Sequence, residues 1–446
     1  MTRVVSQAFL FCLIPVLACA DAGRVSVGEA IKLALEKNHL LRAASFERQA
    51  AAQGVAIGRS AYLPRIYLEE TAAVSNSPTR TFMMKLDEGR FTDRDFLVSN
   101  LNNPSTHSDF RTAFVLEQAL LDFRIGSGLD LARAEDDSRA YALERRRQEV
   151  AFQVYQAYLE VQKAKAGLAV AEQAVRDARE HQRLAQVRTA AGVGLKSDEL
   201  RTRTFLSEME QQLISASNNI TLSKLRLARA VGKGGGEPLD TNEDPHTQVL
   251  LHTSRELVEL ALANRPDLRE MEKGSEKATV GVKLAKNTYL PTVYGTAAYQ
   301  RNDRDIPFGR DNDSWSVGAT LRWEMFDGLR RNGEVEKARL QESAAAEYLE
   351  NYRQEVVLQV REAYLRREES GKRLEVARHT VLDGEEVVRL TSRRYENAIA
   401  TTVEILDAQT ALNRARLQLV ENESDHALAT ARVYQAAGIF LKEVQQ

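Results

Sequence analysis

Apolar and polar residues alternate between Trp315 and Phe326. Trp315, Val317, Ala319, Leu321, Trp323 and Met325 fall on one face of an extended chain, and Ser316, Gly318, Thr320, Arg322 and Glu324 on the other. This period of two predicts a strand. A second is expected over 110–121, with Phe110, Phe114, Leu116 and Leu120 on one face, and two more near 65–75 and 292–300. Elsewhere the period is helical. No proline occurs from about Gly128 to Ala190, or from Gly333 to the end. A helix of about 60 residues is roughly 90 Å long, several times the width of an ordinary domain. In the first such segment Val154, Val161, Leu168 and Val175 recur every seven residues, and Ala157, Ala164, Ala171 and Ala178 follow three residues later. Val360, Leu374, Val381 and Val388 keep the same frame in the second, with Arg367 as its one polar member. Such heptads predict a left-handed coiled coil. Alanine at every second seam position lets the backbones approach more closely than leucine would.

Each long helix runs into a turn, Ala190–Ser197 in one case and Glu396–Thr402 in the other. A further helix of about 35 residues follows, to Gly232 and Gly438, which makes two αα-hairpins. The order recurs because the sequence recurs. Residues 29–67 match 256–294 without a gap at an offset of 256 − 29 = 227, with Tyr62-Leu63-Pro64 on Tyr289-Leu290-Pro291. The match returns at 363 − 157 = 206, with Ala157-Tyr158-Leu159 on Ala363-Tyr364-Leu365. Two tandem repeats are therefore expected, 21–232 and 253–446, joined by a glycine-rich linker, 233–252. Each carries a β-hairpin (about 65–121 and about 292–326) and a coiled-coil hairpin (about 126–232 and about 333–438). The fold class is α+β.

A net charge of −2 makes no case for nucleic acid, and 28% charged with 7% aromatic residues suits long helices better than a compact enzyme core. Residues 1–20 read as a secretory signal, with Arg3, an apolar run over 8–17 and Ala18-Cys19-Ala20 as cleavage site; acylation of Cys19 is the alternative. Cys12 and Cys19 are the only cysteines, so the mature chain has no disulfide. The seven histidines show no metal-ligand spacing, and no phosphate loop, dinucleotide fingerprint or nucleophile elbow is present. No enzyme, metal or cofactor is expected.

Strands of ten to twelve residues suit a tilted transmembrane barrel, whose strands need about 9–11. A soluble sheet with one buried face gives the same alternation. Four strands cannot close a barrel, and an open edge in lipid leaves backbone groups unpaired, so a membrane reading requires several chains around a cyclic axis. The offset falls from 227 to about 205 across the hairpins, making the first hairpin loop, about 76–109, some 22 residues longer than the second. Its Phe82-Met83-Met84, Phe91 and Phe96 either pack the loop itself or serve a loop outside the cell or over the pore.

The duplicated helix–hairpin–helix order, the Tyr-Leu-Pro phrase before each strand pair, and the tips Ala191-Gly192-Val193-Gly194-Leu195 and 395–408 resemble the TolC family of outer-membrane efflux proteins. The resemblance covers nearly all of the mature chain. It implies a homotrimer in the outer membrane of a Gram-negative bacterium, with a twelve-stranded barrel in lipid and an α-helical tunnel through the periplasm. It also implies a periplasmic adaptor and an energised inner-membrane pump of the RND or ABC type as partners. The duct would serve efflux or type I secretion. Gly192, Val193, Gly194, Leu195, Ala398, Ile399 and Ala400 match the tips that dock the adaptor. Tyr395 matches a tyrosine that closes the periplasmic entrance, Asp198 its partner on the other hairpin, and Glu404 and Asp407 two acidic positions ringing that entrance. Three residues apart, Glu404 and Asp407 share a helix face, and rings of carboxylates favour cations. Thr401-Thr402-Val403-Glu404 also fits a capping box, which would use Glu404 to close its own helix. Ala400 stands where the best-known member has an arginine of the gate network, and Ala398 where a tip glycine is usual, leaving Asn397 to take the left-handed conformation. The alternative to a channel is a periplasmic or surface coiled-coil scaffold.

Overall fold

The computed structural model of the protein describes residues 24–234, 236–242, 250–397 and 399–444. The expected leader, with Cys12 and Cys19, and the tip residue Ala398 lie outside them. In order, the elements are β1 (Arg24–Val25), α1 (Val27–Lys37), α2 (His39–Ser60), β2 (Arg65–Ser75), α3 (Pro78–Asp87), a 3-10 turn (Asp93–Phe96), α4 (Val98–Asn102) and β3 (His107–Leu121). Then come α5 (Phe123–Ala190), α6 (Lys196–Val231), β4 (Asp240–Thr241), α7 (Ser254–Asn264), α8 (Pro266–Asn287), β5 (Thr292–Asp303) and β6 (Asn312–Arg322). The chain closes with α9 (Arg330–Glu396), α10 (Thr402–Ala436) and α11 (Phe440–Val444). Two compact units result, one from residues to 39, 147–257 and 360 onward, the other from 40–146 and 258–359.

The first unit is helical. Its α1 starts at a reciprocal cap, Ser26 N donating to Glu29 Oε2 at 2.8 Å and Glu29 N to Ser26 Oγ at 3.3 Å. Ala30, Ile31 and Ala34 of α1 are buried, as are Leu227 and Val231 of α6. Phe440 of α11 lies edge-on to Phe152 and Tyr155 of α5, at centroid distances of 5.5 and 5.6 Å. The two-residue strands β1 and β4 pair in parallel. Asp240 in β4 binds Lys165 at 2.8 Å and Lys224 at 2.9 Å. Burial opposes the charge on Asp240, but the two ammonium groups prevail and hold the carboxyl far below its usual range.

Of the seam alanines, Ala171 and Ala178 are buried, Ala178 in a cluster where it, Ala174 and Val175 of α5 meet Phe205 and Met209 of α6 and Leu406 of α10. Ala157 and Ala164 are half-buried. Ala164 lines a groove of about 830 Å³ floored by Gly167, Ala171, Ala174 and Ala216.

The second unit carries a four-stranded antiparallel sheet in the order β2-β3-β5-β6. Its helices are charged on facing sides and cross-linked by ion pairs, including Arg145–Glu270 and Lys283–Asp130, each 3.1 Å, and Lys277–Glu135. Buried Arg265 grips Asp267 at 2.5 Å, and Tyr352 donates to the same carboxylate at 2.8 Å.

The strand expected over 315–326 instead begins at Asn312 and ends at Arg322. Alternation continues to Met325, but Arg322 already pairs with Thr292, the first residue of β5. Pro291 before it has no N–H to offer, so residues beyond 322 find no ladder. Trp323 turns away and donates its indole N–H to the Tyr289 carbonyl at 3.1 Å. The long first loop is itself structured, and its aromatics pack the loop. Phe91 stands edge-on to Phe82 at 4.6 Å and to Phe96 at 4.9 Å.

Candidate functional site

Two regions bear on function, the sheet and the paired helix tips. Register separates the sheet's faces. Leu68, Phe114, Tyr299 and Trp315 form one cross-strand row, and Ile66, Leu116, Ala297 and Val317 the parallel row two residues along. The opposite face carries Thr71, Arg111, Asn302 and Asn312 in one row and Glu69, Ala113, Gln300 and Ser314 in the next. The apolar face is bare: Trp315 is 77% exposed and Val317 72%. A sheet stabilised only in water would not display such a face uncovered. Strands β2 and β6 each have one partner, so both edges are open.

At the first tip Gly192 adopts φ +77°, and the N–H groups of Val193 and Gly194 both return to the Arg188 carbonyl at 3.0 Å. A Cβ on Gly194 would lie 2.9 Å from the Thr189 amide nitrogen, so only glycine fits this return. Val193 and Leu195 project into solvent, as does Ile399 at the second tip. There Ile399 N donates to the Arg394 carbonyl at 2.8 Å. The left-handed residue expected at Asn397 is not found. Among the described residues only Phe308 and Leu329 are non-glycine residues with positive φ. Asn397 instead donates its side-chain amide to the Arg393 carbonyl at 2.9 Å, satisfying one of the carbonyls a helix end leaves open.

Tyr395 is buried with Ala400 and Ile405. Its hydroxyl lies 3.3 Å from Thr402 Oγ1. Arg188 of α5 covers its ring, guanidinium carbon 4.7 Å from the centroid, and donates to the Tyr395 carbonyl at 3.0 Å. Glu404 and Asp407 are exposed on α10. Glu404 closes its own helix: Thr401 N donates to Glu404 Oε2 at 2.7 Å, and Glu404 N to Thr401 Oγ1 at 3.3 Å. Those bonds, the backbone one foremost, hold its carboxyl below the usual range.

A family model described as outer membrane efflux protein matches residues 30–233 and 257–439. The chain belongs to this family of outer membrane efflux proteins. It is an outer-membrane export channel, and the scaffold alternative is set aside. It is 24% identical over 452 residues to the alkaline protease secretion protein AprF of Pseudomonas aeruginosa, covering 98% of this chain and 90% of AprF. Identity to the proteases secretion protein PrtF of Dickeya chrysanthemi is 20%, over 93% of this chain and 88% of PrtF. The crystal structure of the outer membrane protein VceC from Vibrio cholerae shares the fold with a TM-score of 0.77 at 17% identity, over 92% of this chain and 96% of that one.

In this efflux-family chain the tip residues fall into three groups. Tyr395 and Ala400 are packed together, Glu404 is engaged in its cap, and among the described residues the carboxylates of Asp198 and Asp407 are uncommitted. Asp198 sits half-exposed in the first turn of α6, and among the described residues its carboxylate has no ion pair or hydrogen bond. The pairing expected between Asp198 and Tyr395 is not made within the chain. Arg188, which sequence reading passed over, holds Tyr395 instead. Its only prior signal is a basic side chain in the last turn of α5, where a cation suits the helix dipole for unrelated reasons. A polar tie between α5 and α10 was also unforeseen. Buried Gln409 donates to Asp177 Oδ2 at 3.0 Å and to Asn413 Oδ1 at 3.2 Å. A glutamine in a polar helix gives no sequence sign that it points inward.

Proposed function

We propose that the chain is one subunit of a homotrimeric exit duct for a tripartite export machine, each subunit built from two tandem repeats. The observation that carries this is the sheet with one bare apolar face, one polar face and two open edges. Three copies joined edge to edge close a twelve-stranded barrel and leave no unpaired strand in lipid. The apolar face meets outer-membrane lipid and the polar face lines water. The helical hairpins then form the periplasmic tunnel, and Val193, Leu195 and Ile399 are the apolar knobs offered to a periplasmic adaptor. Energy comes from an inner-membrane pump. Arg188 clamps Tyr395 at the entrance, in place of the arginine that Ala400 replaces. Glu404 and Asp407, repeated three times, make the entrance cation-selective. AprF and PrtF, each matched over most of its length, are named for protease secretion. That favours an exported polypeptide as cargo. The test is extraction of the full-length protein from the outer membrane in mild detergent. A particle of three chains is expected, and a water-soluble monomer with no outer-membrane enrichment overturns the reading.

A further inference from the structure

The loop between β2 and β3 has no part in the reading so far, yet it is tied down at both ends. Helix α3 begins two residues after β2, where Thr81 Oγ1 donates to the Ser75 carbonyl at 3.1 Å. It ends at Asp87, whose carbonyl accepts from Asn312 Nδ2 at 3.0 Å, and Asn312 opens β6. Strands β2 and β6 are the two edges of the sheet. Three strand spacings of about 4.8 Å make roughly 14 Å. The ten residues of α3 span about 15 Å. The helix is as long as the sheet is wide, and it crosses the end remote from α2 and α5.

The crossing is on the polar face. Ser75 pairs with His107, Arg111 with Asn302, and Asn302 with Asn312, so these side chains share one face. Glu88, the residue after α3, places Oε2 2.8 Å from His107 Nε2, and both side chains are buried. Beyond it Gly89, at φ +69°, lies against the Asn312 side chain, its Cβ position 3.5 Å from Asn312 Cβ. Arg90 then reaches the other hairpin loop, Nε to Asp311 at 2.6 Å and Nη1 to Asp305 at 3.1 Å. The rest of the loop is braced by the Phe82–Phe91–Phe96 stack and by Lys85–Asp95 at 2.6 Å.

We propose that α3 is a strap across the outer mouth of the duct, clasped by Arg90, and that it limits the size of solute passing that end. This rests on the barrel reading, in which the polar face is the inner one. The helical tips would then be one of two restrictions along the path.

The test uses full-length protein in outer-membrane vesicles, with a single cysteine on β6. Ser316→Cys lies on the polar face four residues beyond Asn312, and Val317→Cys on the apolar face. Each is treated from outside with a small and a bulky water-soluble thiol reagent. In an otherwise unaltered chain Ser316→Cys should react with the small reagent and at least tenfold more slowly with the bulky one. Arg90→Glu, which sets a carboxylate against Asp305 and Asp311, should abolish most of that difference, and adding Asp311→Arg should restore it. Asn312→Ala, which frees Asp87, serves if Arg90→Glu is not inserted. Equal rates for both reagents in the unaltered chain, or bulky-reagent rates unmoved by Arg90→Glu and Asn312→Ala, overturn the strap. Equal labelling of Ser316→Cys and Val317→Cys fails the barrel reading itself, and the strap with it.

Discussion

Gly232 ends α6 with φ +86° and lies against the junction of α1 and α2. A Cβ there would stand 2.8 Å from the Lys37 carbonyl oxygen, 2.9 Å from its carbon and 3.0 Å from Asn38 Cα. All three are backbone atoms, and that backbone is pinned. Asn38 N caps α1 on the Ala34 carbonyl at 2.9 Å, and Asn38 Nδ2 holds the Ala230 carbonyl at 3.0 Å. Gly232→Ala therefore carries two costs. The left-handed conformation costs an alanine about 1–2 kcal/mol. Forcing apart packed backbone costs about 1–3 kcal/mol more. The sum is about 2–5 kcal/mol. Gly192→Ala is the control, because Gly192 has φ +77° and nothing within 4 Å of its Cβ position. It bears only the first cost. Amide hydrogen exchange of the purified protein is the assay, since two compact units need not unfold as one. Protection in the last turn of α6 and in 30–38 should fall by roughly thirtyfold or more in Gly232→Ala, as expected for about 2 kcal/mol. Gly192→Ala should affect only its own turn, and by less. Unchanged protection in Gly232→Ala would show that the Lys37 carbonyl moves aside freely, and the steric argument would be wrong.

At the second tip, Glu404→Gln keeps a side chain able to close the Thr401 cap but removes the charge, whereas Glu404→Ala removes both. Reversal potentials in a salt gradient should lose cation preference equally in the two variants, and only the alanine form should fray at the start of α10; unchanged selectivity in both leaves Glu404 a cap alone. Ala178 is fully buried between α5 and its neighbours, so Ala178→Leu should overpack that layer and cost about 1–3 kcal/mol, read as a lower melting temperature. A wild-type melting temperature would mean the seam is loose. In the long loop Lys85 and then Thr92 hold the Asp95 carboxyl down to about 2. A depressed carboxyl contributes stability that is complete above its ordinary value near 4 and is lost as pH falls through about 2. Hydrogen exchange over 82–96, corrected for intrinsic rate, should therefore be flat from pH 7 to 5 and rise below pH 4, and Lys85→Ala, which leaves the carboxyl less depressed, should shrink that rise without moving its onset.

What could be read in the sequence is what repeats along it. The strand faces were legible because the two sides of the sheet meet different surroundings, so Phe110, Trp315 and Leu321 alternate with polar neighbours. The long helices were legible because α5 and α9 hold no proline and keep a seven-residue frame. Periodicity is silent on where a strand loses its partner, which is why Trp323 to Phe326 read as sheet and are not. It is equally silent on contacts made by single residues across long separations. Arg188 lies 207 positions from the Tyr395 carbonyl it binds, and Asn312 is 225 from Asp87. Neither contact leaves a pattern in its own segment.

The tip illustrates why this limit bears on function. Ala400 removes an arginine from the place where the family resemblance puts one, and a position-by-position comparison ends there with a weakened gate. The structure supplies a guanidinium on the same tyrosine from the opposite hairpin, through Arg188. There Arg188 supplies both a cation over the Tyr395 ring and a donor to its carbonyl. Its origin also changes what it does. An arginine at position 400 would sit in the second tip itself, whereas Arg188 on α5 fastens the second tip to the first. Movement of one hairpin tip away from the other must then break the Arg188 contacts, so Arg188→Ala should release Tyr395 and loosen both tips together. Hydrogen exchange at 188–198 and 393–405 reads both sides of that contact at once, and loosening confined to one side would refute the coupling.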